Sequence, residues 1–377
     1  MTSGILLTIL ILGILPLQDH EVLRHSDAEF RRGVELQRRG DLAGAQAAYE
    51  ASLKLIPARM DALSNLGVIL ARQGRYEQAI ARYRDALKLE PAEYRIRLNL
   101  GIAYFQIRQF DQARKELSEV IRIQPDNLQV RSLLGLSHFE QGELKGAIEN
   151  LEYAYRGQPE NHVVAYALAN AYLQNDQLDR VERLIELVFL NLDTAEAHLL
   201  IGSFQLARKQ LQPALDELTQ SLKLNPKLAT AHAQLGAISL LKGNRELAIE
   251  QFKAELEINP RHFQANARLG WLYREDGRLD EAGNLLRQAL ALRPGDPVVL
   301  YYLGQVMQAL GKTDEALRLI EQSVETLPDS IPAQVLLARL YFRLKRPADG
   351  RRVKSTIERL TTARQKRSSP TSIPLLK

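Results

Sequence analysis

Along most of the chain apolar residues return every three or four positions, as in Leu63, Leu66 and Leu70 and then Ile80, Tyr83 and Leu87. That spacing places them on one stripe of a helix, and the every-second-residue alternation of a half-buried strand is absent. Short polar segments interrupt the stripes: Gln73-Gly74-Arg75, Gln141-Gly142-Glu143, Lys242-Gly243-Asn244, Asp276-Gly277-Arg278 and Gly311-Lys312-Thr313. Glycine closes one helix there, and a proline farther on suits the approach to the next. The pattern predicts amphipathic helices in pairs.

The pairs recur with a fixed period. Prolines stand at 57, 91, 125 and 159, then at 226, 260, 294 and 328, so the steps are 34 residues except for one of 67 that hides a repeat without its proline and one residue short. Nine units follow: 26–59, 60–93, 94–127, 128–161, 162–194, 195–228, 229–262, 263–296 and 297–330. The eighth residue of each is glycine, from Gly33 to Gly304, except for Ala169. Twelve residues later comes alanine, from Ala45 to Ala316, except for Val181. Small residues at fixed places mark close helix crossings. Units of this kind cannot bury their apolar faces alone and must stack on one another.

Leu63, Leu66, Gly67, Ala79, Tyr83, Ala86 and Pro91 in the second unit, and Leu269, Gly270, Tyr273, Ala282, Leu286, Ala289 and Pro294 in the eighth, carry a resemblance to the tetratricopeptide repeat (TPR). It holds in phase over 26–330. It implies an all-α, right-handed α–α superhelix, or solenoid. The fifth unit departs most, with Ala169, Val181 and Asp193 in place of glycine, alanine and proline, and is a candidate bend. After 330, Ile331-Pro332 opens a helix that Lys345-Arg346-Pro347 interrupts, and residues 331–360 read as capping helices. Residues 19–25 read as a linker, and 361–377, with Ser368-Ser369-Pro370, as a basic disordered tail.

The resemblance also implies where function lies. Members of the family bind peptides or proteins chiefly on a concave surface lined by the first helix of each unit, at its second, fifth, ninth, twelfth and thirteenth residues. In units three to six these positions yield the candidate partner-binding set Leu98, Ile102, Phe105, Ser132, Leu136, Phe139, Tyr166, Asn170, Leu173, Leu199, Ser203 and Leu206. This apolar stripe with a few amides and hydroxyls suits an extended or helical segment whose side chains enter pockets. Some members hold a C-terminal carboxylate between lysine and asparagine. Here the fifth and ninth positions offer Phe30 and Val34, Ser64 and Val68, then Leu98 and Ile102, with no lysine, so such a clamp is not expected.

Composition narrows the chemistry. The 377 residues contain no cysteine, which excludes disulfides, thiolate nucleophiles and cysteine–metal sites. The seven histidines form no metal-binding spacing. His198 and His232 fall at equivalent repeat positions and read as buried neutral packing residues. Glu250, Glu255 and Glu257 read as an ordinary charged helix face, and glycines do not gather into a phosphate-binding loop. No catalytic residue, cofactor or metal is expected. The formal net charge of +5 comes from the end of the chain: residues 343–377 hold 11 basic and 2 acidic side chains, leaving 39 against 43 before them. A nucleic-acid footprint across the fold is therefore not expected.

Met1–Gln18 carries no charged side chain and is apolar from Ile5 to Leu17. Its apolar stretch is shorter than the roughly 20 residues that span a bilayer, and it reads as a hydrophobic signal or membrane anchor, with a helix packed on the first repeat as the remaining possibility. The expectation is a non-catalytic, protein- or peptide-binding scaffold or assembly factor, membrane-associated or exported, with possible membrane contact through the N-terminus. A cytoplasmic location, and an accessory subunit of an enzyme assembly that is membrane- or polysaccharide-associated, stand as alternatives.

Overall fold

The computed structural model describes residues 17–190 and 192–366, and all regular structure among them is helical. The chain divides into two compact units, Met1–Val188 and Phe189–Lys377. The first contains α1 (Leu17–Arg38), α2 (Leu42–Leu55), α3 (Met60–Arg72), α4 (Tyr76–Leu89), α5 (Tyr94–Gln106), α6 (Phe110–Ile123), α7 (Leu128–Glu140), α8 (Leu144–Gly157), α9 (His162–Gln174) and α10 (Leu178–Leu184). The second contains α11 (Ala195–Ala207), α12 (Leu211–Leu224), α13 (Ala231–Leu241), α14 (Arg245–Ile258), α15 (Phe263–Glu275), α16 (Leu279–Leu292), α17 (Pro297–Ala309), α18 (Thr313–Thr326), α19 (Ile331–Arg343) and α20 (Pro347–Lys366). Within each unit a helix packs on its successor, so hairpins stack on hairpins as the repeat demands.

Each hairpin turns the same way. The fifteenth residue of the repeat adopts a left-handed conformation, and the next N–H returns to a carbonyl five residues back, as from Arg75 to Leu70 and from Arg278 to Tyr273, both at 2.9 Å. That bond closes the first helix. Glycine fills the position six times, from Gly40 to Gly311, while Arg108, Asp176, Lys209 and Lys345 occupy it at φ of 57° to 61°. Opposite helix ends are capped by side chains: Asn127 accepts from the N–H of Val130, Asn161 from Val164 and Asp296 from Val298 and Val299.

The glycine and alanine of the periodic pattern lie where the helices of a pair cross. Ala45, Ala79, Ala113, Ala147, Ala214, Ala248, Ala282 and Ala316 have no exposed surface. A Cβ added at Gly67 would lie 2.5 Å from the ring of Tyr83, at Gly236 2.7 Å from that of Phe252, and at Gly304 2.5 Å from Ile320. The eighth residue is small because the residue sixteen places on fills its space.

A second regularity ties repeats in series. The fourth residue of a unit donates to the proline carbonyl six residues upstream: Arg97 to Pro91 (2.8 Å), Arg131 to Pro125 (3.2 Å), Asn266 to Pro260 (2.9 Å) and Gln334 to Pro328 (2.9 Å). The proline fixes the chain's approach to the helix, and the side chain satisfies a carbonyl that the turn leaves open.

Several expectations shift at their edges. Residues 19–25 are helical within α1 because no glycine or proline interrupts them, and 361–366 continue α20 for the same reason. Ile331–Lys366 forms a full hairpin with Lys345 at the left-handed turn position, so the end of the chain repeats the architecture a tenth time. In the fifth repeat the second helix keeps its α winding for seven residues and then passes into a π turn, Ile185–Phe189. The change of winding begins at Ile185, sixteen residues after Ala169, which brings a Cβ to the crossing position where the other repeats have glycine. Residues 1–16 and 367–377, on which the signal or anchor and most of the tail were expected, lie outside the described residues. Among the described residues no helix is long and apolar enough to cross a membrane.

Candidate functional site

The first helices of consecutive repeats touch one another as well as their own partners: α3 meets α5, α5 meets α7 and α7 meets α9 in the first unit, and α11 meets α13 and α15 meets α17 in the second. They therefore present a shared face. On that face in the first unit, Leu98, Ile102 and Phe105 of α5, Ser132, Leu136 and Phe139 of α7, and Tyr166, Asn170 and Leu173 of α9 are all half-buried, with one side in the core and one toward solvent. Phe105 is propped edge-on against Phe110, with ring centroids 5.6 Å apart. The Ser132 hydroxyl donates to the Leu128 carbonyl at 2.8 Å and the Asn170 amide to the Tyr166 carbonyl at 2.9 Å. The Ser132 hydroxyl proton and one of the two Asn170 amide protons are spent within their own helices, so the face is more apolar than its composition suggests. At its edge Arg108 pairs with Glu140 at 2.5 Å in an exposed bridge that ties two repeats but adds little stability.

The three candidates in the second unit behave differently. Leu199 is only 5% exposed and belongs to a core cluster with Ala214, Leu218, Ala231, Leu235 and Ile238. Ser203 is 8% exposed, and its hydroxyl donates to the Leu199 carbonyl at 2.6 Å and exchanges hydrogen bonds with Gln234. Close contact between α11 and α13 covers both, which removes them from the accessible surface; Leu206 remains half-buried. Conversely, Val163, at the second position of α9, is 69% exposed and extends the apolar face, although the candidate set omitted it. Its position in the repeat was the available signal.

The histidine expectation is corrected. His198 is not a buried neutral packing residue: it bridges Asp193 (3.0 Å) and Glu217 (2.6 Å). Burial works against its charge, but the hydrogen bonds to Glu217 and Asp193 outweigh it and hold the imidazolium above the ordinary histidine range. Asp193 stands five residues upstream, where other repeats offer a proline carbonyl, and its carboxylate takes the place of that acceptor. His232 is half-buried and bridges Gln251 (2.8 Å) and the Pro226 carbonyl (3.4 Å).

Glu255 is likewise no exposed helix-face residue. It has no exposed surface and accepts the N–H of Thr230 through both oxygens at 2.9 Å and that of Ala233 at 3.3 Å. Thr230 stands at φ 79°, and α13 starts two residues late. A carboxylate where other repeats place alanine, serine or valine has drawn the helix start onto itself. Near it, burial first of all depresses His262, whose Nε2 is 3.9 Å from Glu255. Glu255 is sealed from solvent and serves the turn, while His262 keeps a small exposed edge.

Among the described residues no group of three or more His, Asp or Glu could hold a metal. Two open depressions of 330 and 450 Å³ are lined by Asp126, Leu128, Tyr153, Arg156 and Gly157, and by residues of α2, α3 and α4 with Arg75. Neither brings a base to a nucleophile, and neither lies on the shared first-helix face.

Two family models, both of the tetratricopeptide repeat, match the chain, one over residues 70–136, 138–203 and 273–332 and the other over 30–93 and 240–297. Among solved structures, a tetratricopeptide repeat protein from Parabacteroides merdae is 16% identical with a TM-score of 0.52, over 71% of this chain and 99% of that one. Human IFIT1, in a dimer with PPP-AAAA, is 15% identical with a TM-score of 0.51, over 93% and 92%. PilF of Pseudomonas aeruginosa is 20% identical with a TM-score of 0.44, over 55% and 94%. At such identities the likeness is one of fold. No curated protein matches the sequence.

Proposed function

Because this chain belongs to the tetratricopeptide repeat family, we propose that it is a non-catalytic scaffold or assembly factor that holds a partner protein or peptide on the first-helix face of repeats three to five. The observation that carries the reading is the row from Leu98 to Leu173: seven large apolar or aromatic side chains besides Val163, half-buried, on three helices in mutual contact. Each is fixed on its core side and open on the other, so a partner's apolar side chain meets a surface whose rotamers are already set. Phe105 and Phe139, at the same repeat position on neighbouring helices, are the anchors expected to dominate the energy. Rim charges such as Glu140 set orientation and encounter rate more than affinity.

Supported by the uncharged apolar run of residues 1–18, the proposal includes a membrane-associated or exported location. Cell fractionation with intact-mass analysis of the N-terminus tests that part. For the binding face, a photocrosslinking residue is placed at Phe105 or Phe139 and, as a control, at the exposed Lys115 of α6. One recurring adduct at the first two sites and not at the third supports the assignment. Equal labelling at all three, or none, removes it.

A further inference from the structure

The hairpin of α19 and α20 departs from the others in length and in charge. Eight earlier second helices, from α2 to α18, have 14 residues each, whereas α20 has 20. Among the described residues no further helix covers α20 on the side where α12, α14, α16 and α18 pack on the first helix of the next repeat. Gly350, Val353, Thr356, Ile357 and Leu360 recur every three or four residues and are buried or half-buried, so they form the face turned to α19. Arg351, Arg352, Lys354 and Arg359 are exposed on the rest of the circumference.

That exposed face is cationic and largely unpaired. Residues 343–366 hold nine basic and two acidic side chains, and no acidic residue follows Glu358 in the sequence. Asp349 is engaged by Arg346 at 2.8 Å and by Arg352 at 3.6 Å. Arg351, Lys354 and Arg359 have no carboxylate within ion-pair distance among the described residues, the exposed Glu358 included. An aromatic ring borders the same helix: Phe342 is 47% exposed, and a Cβ added at Gly350, in the first turn of α20, would stand 2.8 Å from it.

We propose that α20 is a contact for the surface of an anionic phospholipid bilayer, with Arg351, Lys354 and Arg359 meeting lipid phosphates and the Phe342 ring entering the headgroup layer beside them. Charge complementarity selects a polyanionic surface. A bilayer fits it better than a nucleic acid does: the cations span about half of the helix circumference, as a flat surface accepts, and no aromatic residue is interleaved among them for bases to stack on. The uncharged apolar run of residues 1–18 points the same way, because a short apolar segment and a polybasic patch are each weak anchors alone and hold together. The inference rests on the membrane-associated reading above for its setting, and not on the partner-binding face of repeats three to five.

The test sediments the full-length chain with phosphatidylcholine vesicles, with and without about one-third phosphatidylserine. Residues 1–18 carry no charged side chain, so their contribution is common to both and the anionic increment reports the cations. The expected partition coefficient rises by about a hundredfold or more with phosphatidylserine and falls with added salt. At about fivefold per cation, Arg351→Gln with Lys354→Gln and Arg359→Gln lowers it by about a hundredfold on anionic vesicles, leaving neutral-vesicle binding and the circular dichroism spectrum unchanged. Phe342→Ala weakens binding less and does not alter the salt dependence. Lys54→Gln with Lys88→Gln and Lys115→Gln, which removes the same charge from exposed sites in the first unit, keeps most of the increment. No anionic increment, an equal loss in the two triple variants, or displacement from the vesicles by an oligonucleotide at equal phosphate concentration would each overturn the proposal. The location reading fails separately, if cell fractionation finds a chain with the anionic increment away from membranes.

Discussion

Gly236 and Gly283 are both buried in helices of the second unit, yet alanine at the two positions should have opposite effects. At Gly236 the new Cβ would sit 2.7 Å from Cε1 of Phe252 and 2.9 Å from its Cδ1 and Cζ. Ordinary carbon contacts are about 3.5–4.0 Å, so the methyl intrudes by about an ångström on a ring that has no exposed surface into which to swing. Overpacking of this kind costs ~1–3 kcal/mol, against a gain of ~1 kcal/mol from replacing glycine inside a helix. The net expectation is a loss of ~1–2 kcal/mol, with overpacking set near its upper range by the rigidity of the ring. At Gly283 the nearest atoms are the flexible end of Arg287 at 3.4 Å and Met307 and Val306 at 3.6 Å. There the helix term stands nearly alone, and Gly283→Ala should stabilise by up to ~1 kcal/mol. Urea titrations followed by circular dichroism give the midpoints; midpoints are the right quantity because a repeat array need not unfold in one step. A second mutation, Phe252→Ala, should shrink the penalty of Gly236→Ala, since the methyl then enters the space the ring vacates. If Gly236→Ala raised the midpoint as Gly283→Ala does, the claim that the facing ring dictates glycine would be refuted.

Lys209 pays for its left-handed turn position, and Lys209→Gly should raise stability by ~1 kcal/mol, read from the same midpoints. His198 should titrate above the ordinary histidine range in a proton-detected NMR titration, and Glu217→Gln should lower it. Because its folded value is raised, the stability it contributes is fully present below about 6.5 and is lost as pH rises through the folded value, and His198→Gln should abolish that dependence.

The period was legible because it is written in residues with little freedom. Proline, the crossing glycine and the crossing alanine each answer a backbone or packing constraint that recurs every 34 residues. The tenth hairpin was read only as a cap because Ala338 and Gly350 stand where the crossing glycine and alanine recur, and Thr362 stands where the next proline of the period would fall. Glu255 and His198 were misread for a common reason: helical periodicity locates a residue on a helix but not the partner that reaches it from elsewhere, here the N–H of Thr230 and the carboxylate of Glu217. The binding face divides in the same way. Register put Leu98, Phe105 and Phe139 on the first-helix surface, whereas the burial of Leu199 and Ser203 depends on how closely α11 approaches α13, which no single repeat encodes.

The central claim is that the apolar first-helix face of repeats three to five holds the partner. Its most direct measurement is the affinity of the peptide identified by crosslinking for the native chain and for Phe105→Ala with Phe139→Ala, each checked by circular dichroism. Loss of two anchors of ~2 kcal/mol each, ~4 kcal/mol together, predicts binding weaker by about a thousandfold with helicity retained. Equal affinity in the two proteins would contradict the account.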